Sequence, residues 1–325
     1  MRKPNYAQLV VVLSRLVYRL TYAILRRSHA VFCTRVLSQK TIMAPPTYSD
    51  LGKSARDVFG QGYHFSLIKL DVKTKTSSGV EFSSGGISNQ DTGKVFGTLE
   101  TKYKISDYGL TFSEKWNTDN TLATDVTLAD KLLKGLTLGY SCTFSPQTGT
   151  KTGKLKTSYA HENVSANADF DLSLSAGPLI NASAVVGYQG WLAGYQASFD
   201  TQRNKLTKNN FALGFTASDF ALHTAVDNGR EFSGSIYHKV KPDLQGAINL
   251  AWNSSNNVTQ FGIGTKYDLD KDASVRAKIN SHLQVGLGYQ QKLRDGVTLT
   301  LSTNIDGKNF GSGGHKIGFA LNLEA

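Results

Sequence analysis

One carboxylate falls among residues of the wrong kind. In Leu110-Thr111-Phe112-Ser113-Glu114-Lys115-Trp116 every second residue is apolar, and Glu114 stands in the set with Leu110, Phe112 and Trp116. A strand sends alternate side chains to opposite faces, so Glu114 shares the oily face, while Thr111, Ser113 and Lys115 share the other. If the oily face meets hydrocarbon, an acid there is costly and marks a candidate functional group. The plainer alternative is a residue at the membrane interface whose carboxylate reaches the head groups.

The opposite parity carries charge of a different use. Lys69, Lys73, Lys75, Lys102, Lys104, Lys115, Lys154, Lys156, Lys239, Arg276, Lys278 and Lys316 fall on it, against Asp71, Glu100, Asp125, Asp169, Asp227 and Glu324. Rings of charge around a pore bias which ions pass. The spacing therefore predicts a weakly anion-selective lining, with Lys69, Lys73, Lys102, Lys154 and Lys156 from strands and Lys53 and Arg56 from a short helix. The alternative for any one of these lysines is mere solvation of a strand end.

Other chemistry is sparse. The seven histidines and the scattered carboxylates form no convergent catalytic set. No Walker loop or strand–turn–helix GxGxxG context occurs. Cys33 and Cys142 stand alone, without CxxC or Cys/His ligand spacing, so no disulfide framework, metal site or cofactor is expected. An enzyme is not expected.

These residues are positioned by a run of short alternating segments that begins near Tyr63 and ends with Lys316-Ile317-Gly318-Phe319-Ala320-Leu321-Asn322-Leu323-Glu324. Counting alternation and turn signals gives nineteen segments between 63 and 325. Turns such as Asn117-Thr118-Asp119-Asn120 are short, which makes neighbours antiparallel. So wide a sheet has reason to close and abolish its edges. An odd closed ring forces its first and last strands to meet parallel. No stretch of about 18 uncharged apolar residues exists for a transmembrane helix, but a barrel needs only alternating strands. The expected fold is an all-β membrane protein, a transmembrane β-barrel with one short N-terminal α-helix in its lumen.

That helix is announced by Pro45-Pro46-Thr47-Tyr48-Ser49-Asp50, a Thr-x-x-Asp capping pattern after proline. Leu51, Ala55, Val58 and Phe59 then form one apolar stripe over about three turns, and Gly60 and Gly62 end it as a hinge. So short a helix needs a surface to rest on.

Charge separates the N-terminus from the rest. Of 36 Lys and Arg, 8 lie in residues 1–42, which contain no acid, leaving 28 against 25 Asp and Glu. A strongly basic total is thus a local property, and nucleic-acid binding loses its motivation. Arg15, Arg19 and Arg26 among Leu9, Leu16, Leu20 and Leu25 give a basic amphipathic segment of mitochondrial-targeting type. The other reading is an upstream extension, with Met43 as the usual start. The expected organisation is therefore an extension (1–42), a helix with its hinge (43–62) and a barrel (63–325).

Four stretches are distinctive: Pro45-Pro46-Thr47-Tyr48-Ser49-Asp50-Leu51-Gly52-Lys53, Leu99-Glu100-Thr101-Lys102-Tyr103, Glu114-Lys115-Trp116-Asn117-Thr118-Asp119-Asn120 and Gly187-Tyr188-Gln189-Gly190-Trp191-Leu192-Ala193-Gly194-Tyr195. They closely resemble the eukaryotic porins, the mitochondrial voltage-dependent anion channels, and insect-type members above all. Gly286-Leu287-Gly288-Tyr289 and Asp306-Gly307-Lys308-Asn309 add to these stretches, and the likeness runs from Met43 to Ala325. Nineteen strands is the count this family is known for, so the count made here agrees with an existing expectation.

The resemblance implies voltage-gated diffusion of metabolites, nucleotides and small ions across the mitochondrial outer membrane. It links Glu114 to gating and lipid contact. It also implies weak nucleotide contacts, with ATP, ADP or NAD, at Lys53, Gln284, Val285, Gly286, Ser302, Thr303, Asn304, Ile305 and Asp306. Membrane lipids, a second copy of the chain and outer-membrane proteins are its implied partners. His64 and Ser66 replace glycines of the family hinge, which should stiffen it. The alternative reading is a protein-translocase barrel of the same membrane, although its lumen would be acidic or apolar rather than basic.

Overall fold

The structure is a computed structural model that describes residues 44–173, 177–308, 310–311 and 313–325; the expectations for residues 1–42 lie outside these. A 3-10 turn at Tyr48–Asp50 precedes helix α1, Lys53–Gly60. Strands β1 to β6 are Leu67–Lys75, Val80–Asn89, Val95–Ile105, Leu110–Asn117, Leu122–Ala129 and Leu136–Ser145. Strands β7 to β12 are Thr150–His161, Val164–Ser173, Leu179–Tyr188, Trp191–Asp200, Lys205–Thr216 and Phe220–Asp227. Strands β13 to β19 are Glu231–Lys239, Leu244–Asn253, Val258–Asp268, Ala273–Asn280, Gln284–Arg294, Val297–Asp306 and Lys316–Glu324.

Each strand pairs antiparallel with the next, and the ring closes where β1 meets β19 in parallel, Ile68 opposite Phe319 and Lys73 opposite Glu324. The nineteen-stranded closed sheet and its parallel seam match the sequence expectation. No helix among the described residues is long and apolar enough to cross a membrane. A further tie crosses the seam: Lys316 at the start of β19 pairs with Asp91 in the β2–β3 turn.

The sheet has two unlike faces. Ile68, Leu70, Leu99, Phe112, Trp116, Ile263, Leu301 and Phe319 are all exposed. The opposite face holds the most buried side chains, Val185, Ser198, Ala212, Ala247 and Ala320. The helical segment rests on that second face, which makes it the inside. The apolar side chains therefore form the outer, lipid-facing surface expected of a membrane barrel.

The helical segment is shorter and more broken than the sequence suggests. Gly52 adopts φ +69°, a left-handed conformation that interrupts the capping motif and splits three expected turns into a 3-10 turn and an eight-residue α-helix. The apolar stripe behaves as expected. Leu51 packs with Val185 and Ala212, while Ala55 and Val58 pack with Ala247. Glycines in the wall receive it: a Cβ at Gly194 would stand 2.8 Å from Leu51 Cδ1, and one at Gly264 3.0 Å from the Phe59 ring. Burying this stripe supplies the stability that eight helical residues lack by themselves.

Candidate functional site

The inside face places the lumenal cations as parity predicts. Lys69, Lys73, Lys102, Lys154 and Lys156 occupy inward positions in β1, β3 and β7. Many are not lone charges. Lys69 pairs with Asp71 at 2.7 Å, Lys73 with Glu324 at 3.8 Å, Lys154 with Asp171 at 2.9 Å and Lys156 with Asp125 at 3.6 Å. Lys102 lies opposite Glu81 in the ladder without an ion pair to it among those found. Register adds inward acids that the sequence count omitted: Glu81, Asp171, Asp200, Glu231, Asp268 and Asp306. It adds inward Lys205, Lys208, Lys266 and Lys292 on the basic side. The positive excess is therefore narrower than the twelve-against-six sequence reading. Several omitted residues sit at strand ends, where alternation is hard to follow in sequence.

The helix contributes less free charge than expected. Lys53 is exposed and pairs with Asp50 at 3.3 Å. The hydroxyl of Thr47 donates to Asp50 at 2.7 Å and, with Lys53, holds that carboxyl below the ordinary carboxylate range. Arg56 turns back and donates to the carbonyls of Leu51 and Ser49, bracing the broken turn. Its charge still faces the inside space, but its geometry serves the helix.

The hinge is fixed. Gly60 closes α1, and Gly62 turns with φ +76°. The chain from 62 to 66 then lies on the inner wall instead of opening β1, which begins at Leu67 and not near 63. A Cβ at Gly288 would stand 2.7 Å from the Gly62 carbonyl oxygen, and one at Gly286 2.9 Å from the Phe65 ring. The His64 N–H donates to the Ser302 hydroxyl at 2.9 Å. Burial pushes the Tyr63 phenol up to about 12.

This seat reorders the nucleotide candidates. Gln284, Gly286 and Asn304 line a cavity of about 550 Å³ together with Arg56, Phe65 and Lys278. Ser302 is buried beneath the hinge at 4% exposure. Val285, Thr303 and Ile305 are paired on the outer face, because Val285 lies opposite Ile305 and Thr303 opposite Leu287. Their side chains cannot reach a ligand inside, since consecutive strand residues cannot share one face. Asp306 is inward, opposite Gln284, and Gly52 and Arg56 line this cavity where Lys53 does not. The Gly286-Leu287-Gly288 motif is thus primarily a bed for the hinge.

Glu114 is outward and exposed, in register with Thr101 on β3 and Thr124 on β5. Phe112 and Trp116, two residues away on either side, share its face. The acid therefore stands in the apolar outer surface with two hydroxyl side chains as its lateral neighbours.

Among the described residues no group of His, Cys, Asp and Glu is arranged to hold a metal ion. Comparison with known proteins agrees with the barrel. The eukaryotic porin family profile matches residues 44–318. A voltage-dependent anion-selective channel of Drosophila melanogaster is 65% identical over 283 residues, covering 87% of this chain and 100% of that one. The non-selective voltage-gated ion channel VDAC2 of Xenopus laevis is 59% identical, covering 86% of this chain and 99% of its own. Its Homo sapiens namesake is 56% identical, covering 92% and 99%.

Proposed function

The chain belongs to the eukaryotic porin family, and from that premise we propose that it is a voltage-gated, weakly anion-selective diffusion channel of the mitochondrial outer membrane. Metabolites, nucleotides and small ions are its permeants. The observation that carries this reading is a closed ring whose charged parity is the one the helix touches, while its apolar parity faces outward. Water and ions are favoured inside and hydrocarbon outside.

Selectivity follows from the balance of inward charge. Paired lysines contribute little net field at a distance, so a wide lumen with a narrow positive excess biases ions without excluding cations. ATP, ADP and NAD are permeants or weak ligands attracted by that field. Membrane lipids, further copies of the chain and other outer-membrane proteins are its partners, and nucleic acid is not. The organisation remains an extension (1–42), a helix and hinge (43–62) and a barrel (63–325), although the first regular strand begins at Leu67. The translocase alternative finds no support in the relatives, which are channels by name. Catalysis has no role in this reading.

Planar-bilayer recording of the full chain in a salt gradient tests it. The expected result is a large conductance that falls at both voltage polarities and an open-state reversal potential on the anion side. A cation-preferring open state, or no conductance, would sink the proposal.

A further inference from the structure

Helix α1 ends at Gly60 with its Asp57 carbonyl accepting the Gln61 N–H, and the carbonyls beyond that bond give its C-terminal end partial negative charge. Two cations from the barrel wall meet that end. Lys278 Nζ on β16 donates to the Phe59 carbonyl at 2.7 Å, and Arg276 Nη1 donates to the Asp57 carbonyl at 3.4 Å. Lys278 also lies over the rings of Tyr63 at 4.0 Å and Phe65 at 5.1 Å. These contacts gather the last turn of the helix and the hinge around one ammonium group. Among the described residues no ion pair to a carboxylate is found for Lys278; the Phe59 carbonyl and two aromatic faces are its partners. Its stem is enclosed as well: a Cβ at Gly286 would stand 3.0 Å from Lys278 Cγ.

We propose that Lys278 is the positioning residue that latches α1 to the wall. Its ammonium holds the helix terminus and two rings through cation–dipole and cation–π attraction. Arg276, 8% exposed, backs the same turn from one position along the face. Removal of the Lys278 charge should therefore free the helix. This deepens the channel reading and rests on it only for the electrical half of the test.

The experiment uses the full chain with Cys33 and Cys142 replaced by serine and Ala55→Cys as a reporter, because Ala55 is 3% exposed under the docked helix. Lys278→Met keeps the bulk of the stem and loses the charge; Lys278→Arg keeps the charge. In detergent micelles the Met variant is expected to raise maleimide labelling of residue 55 by about tenfold, with the Arg variant near wild type. In bilayers the Met variant, which loses one inward charge, should shift the reversal potential toward cations, as Lys102→Gln should. Unchanged labelling in the Met variant, or labelling raised equally in the Arg variant, overturns the latch. Failure of the wild type to conduct would instead refute the channel reading, leaving the labelling result to stand.

Discussion

The His64 carbonyl oxygen lies directly over Gly318: a Cβ added to that glycine would stand 1.7 Å from the oxygen. The hinge and the last strand fit only because position 318 has no side chain. Freedom at Gly60 and Gly62 is therefore followed within a few residues by a tight attachment. Motion of the helix must either bend between these points or pull the chain off its bed.

Gly318→Ala separates the two routes. The added methyl cannot coexist with the docked hinge, so residues 62–66 lift while the strand ladder of β18 and β19 persists. Hydrogen exchange at the His64 amide should accelerate strongly with barrel circular dichroism unchanged. Retained protection at His64 would contradict the fit described here.

Acid should loosen the same contact. Burial, aided by nearby Lys69, lowers the proton affinity of His64, so the docked hinge holds a neutral ring. A lifted hinge takes up a proton near the ordinary value of about 6.5. Docking is fully favoured above that value and weakens as pH falls below it, because the lifted state then binds more protons. Protection of residues 63–66, corrected for intrinsic exchange, should drop between about pH 7.5 and about pH 5.5, and His64→Gln should flatten the dependence.

Leu51→Ala tests the helix seat. Leu51 is 2% exposed between Val185 and Ala212, and its truncation should cost about 2 kcal/mol of docking free energy. Exchange in α1 should quicken by about 30-fold, at 1.4 kcal/mol per tenfold. Equal exchange in both proteins would show that the contact does not hold the helix.

On the outer face, Glu114→Gln should leave the fold intact and raise barrel stability by about 1 kcal/mol, since a lipid-facing acid is a modest burden. Urea unfolding in lipid vesicles measures this. Voltage dependence, self-association or lipid crosslinking should change alongside; constancy of all three retires Glu114 as a functional residue.

Within the lumen, Asp171→Asn should strengthen anion preference. The acid neutralises Lys154 at 2.9 Å, and its loss releases that charge to the pore. The reversal potential in a salt gradient should move further to the anion side. Movement toward cations would refute the inward placement of Asp171.

Period-two alternation made the strands, the seam and the outward position of Glu114 legible, because one slipped residue would invert every face. Events that do not alternate were harder to see. Nothing local in Leu51-Gly52-Lys53 shows that Gly52 takes a left-handed turn, since glycine accepts either hand. Tyr63 and Phe65 extend the alternating pattern of β1, yet their partners are Lys278 and glycines more than two hundred residues away. The consecutive run Ser302 to Asp306 resembles a ligand loop only until strand register divides it between two faces. Asp171 shares the inward parity of Asp169 and belongs with it among the lumenal acids.

The odd ring gives the barrel a direction. Because β1 and β19 run the same way, the hinge enters at one mouth and the last strand finishes at the other. An even meander would have brought both to a single rim. The two entrances are thus inequivalent: among the described residues one carries the attachment of the helical segment, the other turns and the end of β19. A solute driven inward from the hinge side meets the Lys278 latch at a different point in its transit than one driven from the opposite side. Current through such a pore has reason to rectify even between identical solutions, and the sign of that rectification reports how the barrel was inserted.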